Sequence, residues 1–320
     1  KATEKDLILS LISGGGSSLM CYPHGGINLD ELRDTGEILL GCGASIDEIN
    51  TIRKHISGIK GGRLSTIAYP ARVISLIISD VVGDDISTIA SGPTSADNST
   101  FNDAYSIIEK YSIEKRLPES VLRTIKKGIN GEIEETPKKD DRRLDRTDNL
   151  IILNNFYALQ CTCKKASNMG YNTLMLSSRL EGESKDCGKI HGGIGAEILE
   201  TDTPVEKPAV VVSGGETTVT LEEYGTSRGG PNQECVLGFA LKMKSISRIT
   251  FLSVDSDGID GNSDFAGGIT GGSEKEYSIR DISKALRNHE SSKFLKEHGD
   301  GIKTGETGTN VNDIRILCVT

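Results

Sequence analysis

Four short apolar runs, each breaking abruptly into glycines or aspartates, constrain this 320-residue chain more than any other feature. Leu7–Ile12 runs into Ser13-Gly14-Gly15-Gly16-Ser17-Ser18, and 209–212 runs into Ser213-Gly214-Gly215-Glu216-Thr217. Residues 75–79 run into Asp80-Val81-Val82-Gly83-Asp84, and 250–254 into Asp255-Ser256-Asp257-Gly258-Ile259-Asp260-Gly261. Open α/β sheets bind ligands just beyond the carboxyl ends of such strands. Residues 29–43, 46–57, 103–111, 119–128, 156–169, 185–199, 232–244 and 279–288 read as helices, and 150–153, 172–176, 217–221 and 314–319 as further strands. The alternation predicts an α/β fold of two α/β domains: a Rossmann-like parallel-sheet domain over 1–131 and a smaller mixed-sheet domain over 149–320. The close pair 209–212 and 217–221 is expected as a hairpin. Residues 132–148, rich in charges of both signs and holding Pro137, are expected as a solvated linker or insertion. Only two strands fall within 1–131, too few for a sheet covered on both faces, so upstream sequence is expected for the first domain.

A net charge of -9 argues against a nucleic-acid surface. No apolar run approaches the roughly 20 residues that cross a bilayer, and no secretory leader pattern is present. The seven cysteines include no C-x-x-C pair and fit free thiols in a reducing compartment. A cytoplasmic protein with a small-molecule substrate, and neither nucleic acid nor membrane as partner, is the expectation. No residue pattern names an oligomeric state.

The loops supply the chemistry. Glycines let backbone N–H groups converge on an oxyanion, and serines add donors. Aspartates just past a strand hold Mg²⁺ through water or accept a proton from a hydroxyl, or else form turns and helix caps. Arg53, Lys54, Lys60 and Arg63 crowd one segment of an acidic chain, beside a second glycine pair, and suit a phosphate or carboxylate. Arg228-Gly229-Gly230-Pro231-Asn232 reads as a glycine turn entering a helix, aimed at a phosphate or simply starting a helix. Residues 305–313 close a site or form a turn. Neither G-x-x-x-x-G-K-[ST] nor G-x-G-x-x-G occurs.

Taken together, LISGGGSSL (11–19), NTIRKHISGIKGGRLS (50–65), SDVVGDD (79–85), IASGPTSAD (89–97), VVSGGETTV (211–219), GGPNQE (229–234), VDSDGIDGNSDFAGG (254–268) and TGTNVND (307–313) resemble the class II glycerate kinases, whose C-terminal half is called the MOFRL domain. The resemblance implies two α/β domains with the active site in the interdomain cleft, and transfer of phosphate from ATP to D-glycerate, giving 2-phospho-D-glycerate, with Mg²⁺. Within that frame we expect catalysis from Lys54, Lys60, Asp257 and Arg228, the last standing in for a family arginine three residues later, and substrate binding from Ser13, Gly14, Gly15, Gly16, Ser17, Ser18, Arg53 and Asp80, with Asp84 behind Asp80. Nucleotide binding falls to Gly214, Gly215, Glu216, Gly229, Gly230, Asn232 and Asn310, and the metal to Asp255 and Asp257. Three departures accompany it. Pro231 stands where the family has an arginine, Glu306 where it has a proline, and no G-K-A lysine segment occurs in the 320 residues. A hydroxypyruvate reductase and a non-catalytic nucleotide-binding regulator are the rival readings; the missing dinucleotide fingerprint weighs against the first, and Pro231 favours the second.

Overall fold

The computed structural model describes residues 2–221, 228–243, 247–271 and 277–320. Two compact units divide the chain, Lys1–Ile152 and Leu153–Thr320.

The first unit holds β1 (Leu7–Ile12), α1 (Gly16–Leu19), α2 (Leu29–Gly41), α3 (Ile46–His55), α4 (Arg63–Ala68), β2 (Arg72–Ile78), α5 (Phe101–Lys110), α6 (Glu119–Ile129) and β3 (Thr147–Leu153). Its sheet runs β1-β2-β3, with β1 and β2 parallel and Leu7 opposite Arg72. The strand expected to open the second domain is therefore the third strand of this sheet. Capping boxes fix three helix starts, Asn28 with Glu31, Ser45 with Glu48, and Thr100 with Asp103. The apolar stripes of α2, α3, α5 and α6 meet in one core around Leu39, Ile52, Phe101, Ile108 and Ile125.

The charged stretch after α6 is no solvated linker between 134 and 138. Thr136 is buried, and Glu135 accepts from His55 at 2.9 Å and from the Phe101 amide at 2.9 Å. Burial opposes ionisation of Glu135, but these bonds win and hold its carboxyl at about 2. Within a run of charges read as exposed, Glu135 is thus tied to α3 and α5, while Glu134, Lys139 and Asp140 remain at the surface.

The second unit holds α7 (Asn155–Asn168), β4 (Asn172–Leu180), α8 (Ser184–Thr201), β5 (Ala209–Gly215), α9 (Pro231–Lys242), β6 (Ile249–Asp255), β7 (Gly267–Gly271), α10 (Ile279–Arg287), α11 (Ser291–His298), β8 (Gly301–Ile302) and β9 (Asp313–Val319). The mixed sheet, expected to be the smaller, has six strands in the order β4-β5-β9-β6-β7-β8. β4 and β5 are parallel, and β9 is antiparallel to both β5 and β6. The hairpin expected after β5 does not form. β5 is hydrogen-bonded on both sides already, and Thr218 makes only an isolated bridge to Glu183. Residue 244 of the expected 232–244 helix lies outside the described residues.

Two glycines set how closely α8 and α9 pack. A Cβ on Gly188 would stand 1.9 Å from the Cys235 carbonyl oxygen, and one on Gly238 would stand 2.1 Å from that of Lys185. The core beneath joins Phe239 stacked on Phe251, with Leu237, Ile249 and Leu317.

Candidate active site

In the first unit the glycine turn follows β1 directly. Gly15 adopts φ 77°, a left-handed conformation that its lack of a Cβ permits, and α1 starts at Gly16. A Cβ at Gly15 would meet nothing within 4 Å, so the turn faces open space on that side. Its back is pinned. Ser17 Oγ lies 2.6 Å from Ser91 Oγ, and Ser91 donates to Asn50 Oδ1 at 3.0 Å. Lys60 Nζ donates to the Ser17 carbonyl. The turn, α3 and the Lys60 loop are thereby one assembly.

The basic segment separates into different duties. Lys60 is 5% exposed, and burial pushes its ammonium down to about 8, with Cys21 opposing and Arg53 reinforcing. Arg53 is half-buried in the same neighbourhood. Lys54, by contrast, is spent inside the fold. It pairs with buried Asp97 at 3.2 Å, and Asp97 also accepts from Ser99 and Thr136. Arg63 donates to the Glu134 carbonyl at 2.8 Å. The glycine pair beside Lys60 exists for packing, since a Cβ on Gly62, at φ 80°, would stand 2.7 Å from the Ser95 carbonyl oxygen. Lys54 and Arg63 thus join no open group, whereas Lys60 touches the glycine turn. Asp80, at the end of β2, is half-buried, and burial raises its carboxyl.

In the second unit topology gathers the acids. The last residues of β5 and β6 lie at one edge of the sheet, and antiparallel β9 starts between them. Asp313 is therefore in register with Gly215 on one side and Asp255 on the other. Asp313 accepts from Asn232 Nδ2 at 2.6 Å and from the Thr217 amide at 3.1 Å, and it pairs with fully buried Arg315. Arg315 also donates to Thr217 Oγ1 at 2.7 Å. Ser253 donates to Asn232 Oδ1 at 2.5 Å.

Asp260 decides the fate of the next helix start. Its two carboxylate oxygens accept from the Asn232 amide at 3.0 Å and the Gln233 amide at 2.9 Å. The first turn of α9 is thus already capped by the protein's own anion, and these amides do not await a phosphate. Gly230 is glycine because a Cβ there would stand 2.3 Å from the Asp260 carboxyl carbon. Gly229 is held by Asn262 at 3.0 Å.

Asp255 and Asp257 form a tight turn. The Asp257 amide donates to Asp255 Oδ1 at 3.0 Å, and the Ile259 amide to Asp257 Oδ1 at 2.7 Å. Burial first, then the like charges of Asp257, Asp313 and Asp260, raise Asp255 to about 7. Burial likewise raises Asp260 to about 6. The 307–312 segment is docked on this turn, with Thr307 N bound to the Asp257 carbonyl at 2.9 Å and Val311 N to Ser256 Oγ at 2.8 Å. Asn310 accepts from the Asn312 amide at 2.8 Å. Glu216 is exposed, and its amide donates to the Leu180 carbonyl.

Among the described residues, no three His, Cys, Asp or Glu side chains come together as a metal cage. Mg²⁺ rarely asks for one, because one or two carboxylates with substrate phosphates and water suffice. Burial first, and neighbouring carboxylates second, disfavour the charged form of Asp255, and a divalent cation would offset both, so the pair Asp255 and Asp257 fits such an ion.

Asp260, Asp313, Arg315 and Asp97 are the functional or supporting groups that motif reading passes over. Asp260 and Asp313 lie inside quoted segments, but only strand register reveals that Asp313 enters the acid edge.

Comparison with known proteins identifies the family. Residues 1–126 match a domain family of unknown function (DUF4147), and residues 209–313 match the MOFRL family. Glycerate 2-kinase of Pyrococcus horikoshii is 45% identical over 100% of this chain and 72% of its own length. The crystal structure of glycerate kinase from Thermotoga maritima superposes with a TM-score of 0.88 at 38% identity, covering 100% of this chain and 74% of that one. A relative from Agrobacterium vitis with a provisional hydroxypyruvate reductase name is 41% identical over 98% of this chain and 70% of its own. Over its whole length, the chain belongs to the glycerate 2-kinase family.

Proposed function

We propose that this chain phosphorylates D-glycerate from ATP, forming 2-phospho-D-glycerate. Identity of 45% to a glycerate 2-kinase over the entire chain is the observation that carries this reading. The geometry supports it. Phosphoryl transfer demands positioning and charge neutralisation more than covalent chemistry. In the first unit, Lys60 at the open glycine turn is the cation for a substrate carboxylate or the moving phosphoryl group, with Arg53 beside it. In the second unit, Asp257 accepts the proton of a hydroxyl, and Asp255 with Asp257 would hold Mg²⁺, which would supply charge neutralisation at the phosphates. Lys54 acts through the fold that presents Lys60. Asn232 and Asp313 fix the acid edge, and Gly214 and Gly215 shape it. A hydroxypyruvate reductase has less support, because the strand–glycine turns lack the G-x-G-x-x-G spacing of a dinucleotide site.

Phosphorus NMR of purified protein with ATP, Mg²⁺ and D-glycerate tests the proposal. A 2-phosphoglycerate resonance is expected. NADH oxidation with hydroxypyruvate and no phosphorylated product would overturn it.

A further inference from the structure

Beside the acid loop, on the second unit, lies a cavity of about 680 Å³ whose walls carry Arg228, Lys293, Lys296 and Lys303 against one carboxylate, Asp264. The net charge of the whole chain is -9, so four cations around one opening run against the field of the molecule. Lys303 lies 3.4 Å from Asp264. Among the described residues, Arg228, Lys293 and Lys296 have no carboxylate within ion-pair distance. Long cationic side chains around a hollow repel one another, and an anion entering it removes that cost.

The cavity has more than charge. Phe265 forms part of the wall, its ring packed where Gly301 leaves room, since a Cβ on Gly301 would stand 2.5 Å from it. Ser292 lines the opening and is tied through its amide to the Arg228 carbonyl at 3.1 Å, which fixes the first turn of α11 to the segment that leads into α9. The volume lies within the range of ligand pockets and exceeds what a three-carbon acid fills. An aromatic wall with several cations suits a planar base carrying a phosphate chain.

The cavity adjoins the acid loop through the backbone. Asn262, on its rim, accepts from the Gly229 amide. Lys303 is followed by Thr304 and Gly305, and these abut Gly258, where a Cβ would stand 2.0 Å from the Gly305 carbonyl oxygen. The loop bearing Asp255 and Asp257 and the wall bearing Lys303 are thus neighbours in one packed layer.

We infer that this basic cavity is the binding site for a nucleoside polyphosphate, with Lys293, Lys296 and Arg228 holding the phosphate chain. The inference rests on the kinase reading for its ligand class, but it can fail separately. The test is equilibrium binding of ATP, and of inorganic tripolyphosphate as a base-free probe, at constant ionic strength. Wild type, Lys293→Gln/Lys296→Gln and the control Lys189→Gln, whose side chain pairs with Asp186 on the solvent side of α8, are compared. The double variant is expected to weaken both probes on the order of tenfold, with the control unchanged. Phe265→Leu is expected to weaken ATP a few-fold and leave tripolyphosphate unchanged. In the glycerate assay the double variant raises KM for ATP and not for glycerate. Unaltered ATP affinity in the double variant, or no ATP binding by wild type at millimolar concentration, overturns the inference. ATP binding lost in the double variant, in a protein that never phosphorylates glycerate, leaves the cavity assignment standing and removes the glycerate kinase reading.

Discussion

The two glycine segments share a sequence look and differ in what they become and in what surrounds them: 13–15 turn off the end of β1, whereas 213–215 are the last residues of β5 itself. At 13–18 a Cβ on Gly15 would meet open space, while at 213–217 one on Gly214 would stand 2.0 Å from Asn155 Oδ1 and one on Gly215 2.2 Å from the Leu180 carbonyl oxygen. Asn155 is itself tied to the carbonyls of Val311 and Asp313 at 2.7 and 2.9 Å. The second segment is glycine so that the protein can fill it, and the first is glycine so that its backbone can bend while one side stays open. Glycine after a strand therefore marks a close approach, and only the neighbours tell whether the approaching group is the protein's own.

The sharpest way to break this contrast is beside the first turn. Lys60→Ala, read by steady-state kinetics, is expected to lower kcat/KM on the order of 10²-fold or more while the chain stays folded. Lys54→Ala is expected to do the reverse. Stranding Asp97 costs about 3–5 kcal/mol of first-unit stability, seen in denaturant unfolding. A Lys54→Ala protein with native stability and no activity would erase the distinction between the two lysines.

Smaller changes sharpen the comparison of the segments themselves. Gly214→Ala must displace Asn155 and is expected to cost about 1–3 kcal/mol, measured by the midpoint of second-unit unfolding. Gly15→Ala meets no atom and strains only a left-handed φ, so about 1 kcal/mol is expected. Equal losses at the two sites would mean that packing does not separate them.

The smallest effect is one of pH. Asp255 is raised in the folded protein to about 7 from the usual carboxylate range. Between that range and about 7 the folded state holds more protons than the unfolded one, so this group's contribution to stability falls as pH rises through the window and is level above it. Asp255→Asn is expected to flatten that slope in thermal melts and to raise stability above pH 7, while activity is lost. Added Mg²⁺ should act in the same direction on the wild-type melt.

Much of this was legible in residue patterns. The apolar runs 7–12, 75–79, 209–212 and 250–254 fall on strands, with Ser79 one residue past the end of β2, although β5 continues through the glycines read as a loop to Gly215, and the capped helices begin within two residues of where their signals lie. What escaped depended on neighbours. β7 reads Gly-Gly-Ile-Thr-Gly and has almost no strand propensity, yet β6 recruits it, with Gly267 letting its backbone lie against Ser253. The acidic stretch around Glu135 looked solvated because its partners, His55 and the Phe101 amide, are distant in sequence. Lys54 and Lys60 sit six residues apart in one basic segment, and nothing local distinguishes the lysine that meets Asp97 from the one that meets the glycine turn. The helix start at Asn232, read as aimed at a phosphate or as a plain start, has its first amides bound by Asp260, a partner distant in sequence.

The position of β9 has a consequence for how the second unit is made. β5 and β6 are not neighbours; β5 pairs with β4 on one side and β6 with β7, and each finds its second hydrogen-bonding partner only in a strand synthesised after every other strand of the sheet. During translation both must wait with one open ladder each, and the acid edge cannot exist until 313–319 slots between them. The unit closes like a zip whose slider is threaded last, so its maturation is paced by long-range pairing, and premature association of the two waiting strands with other chains is the hazard it must outrun.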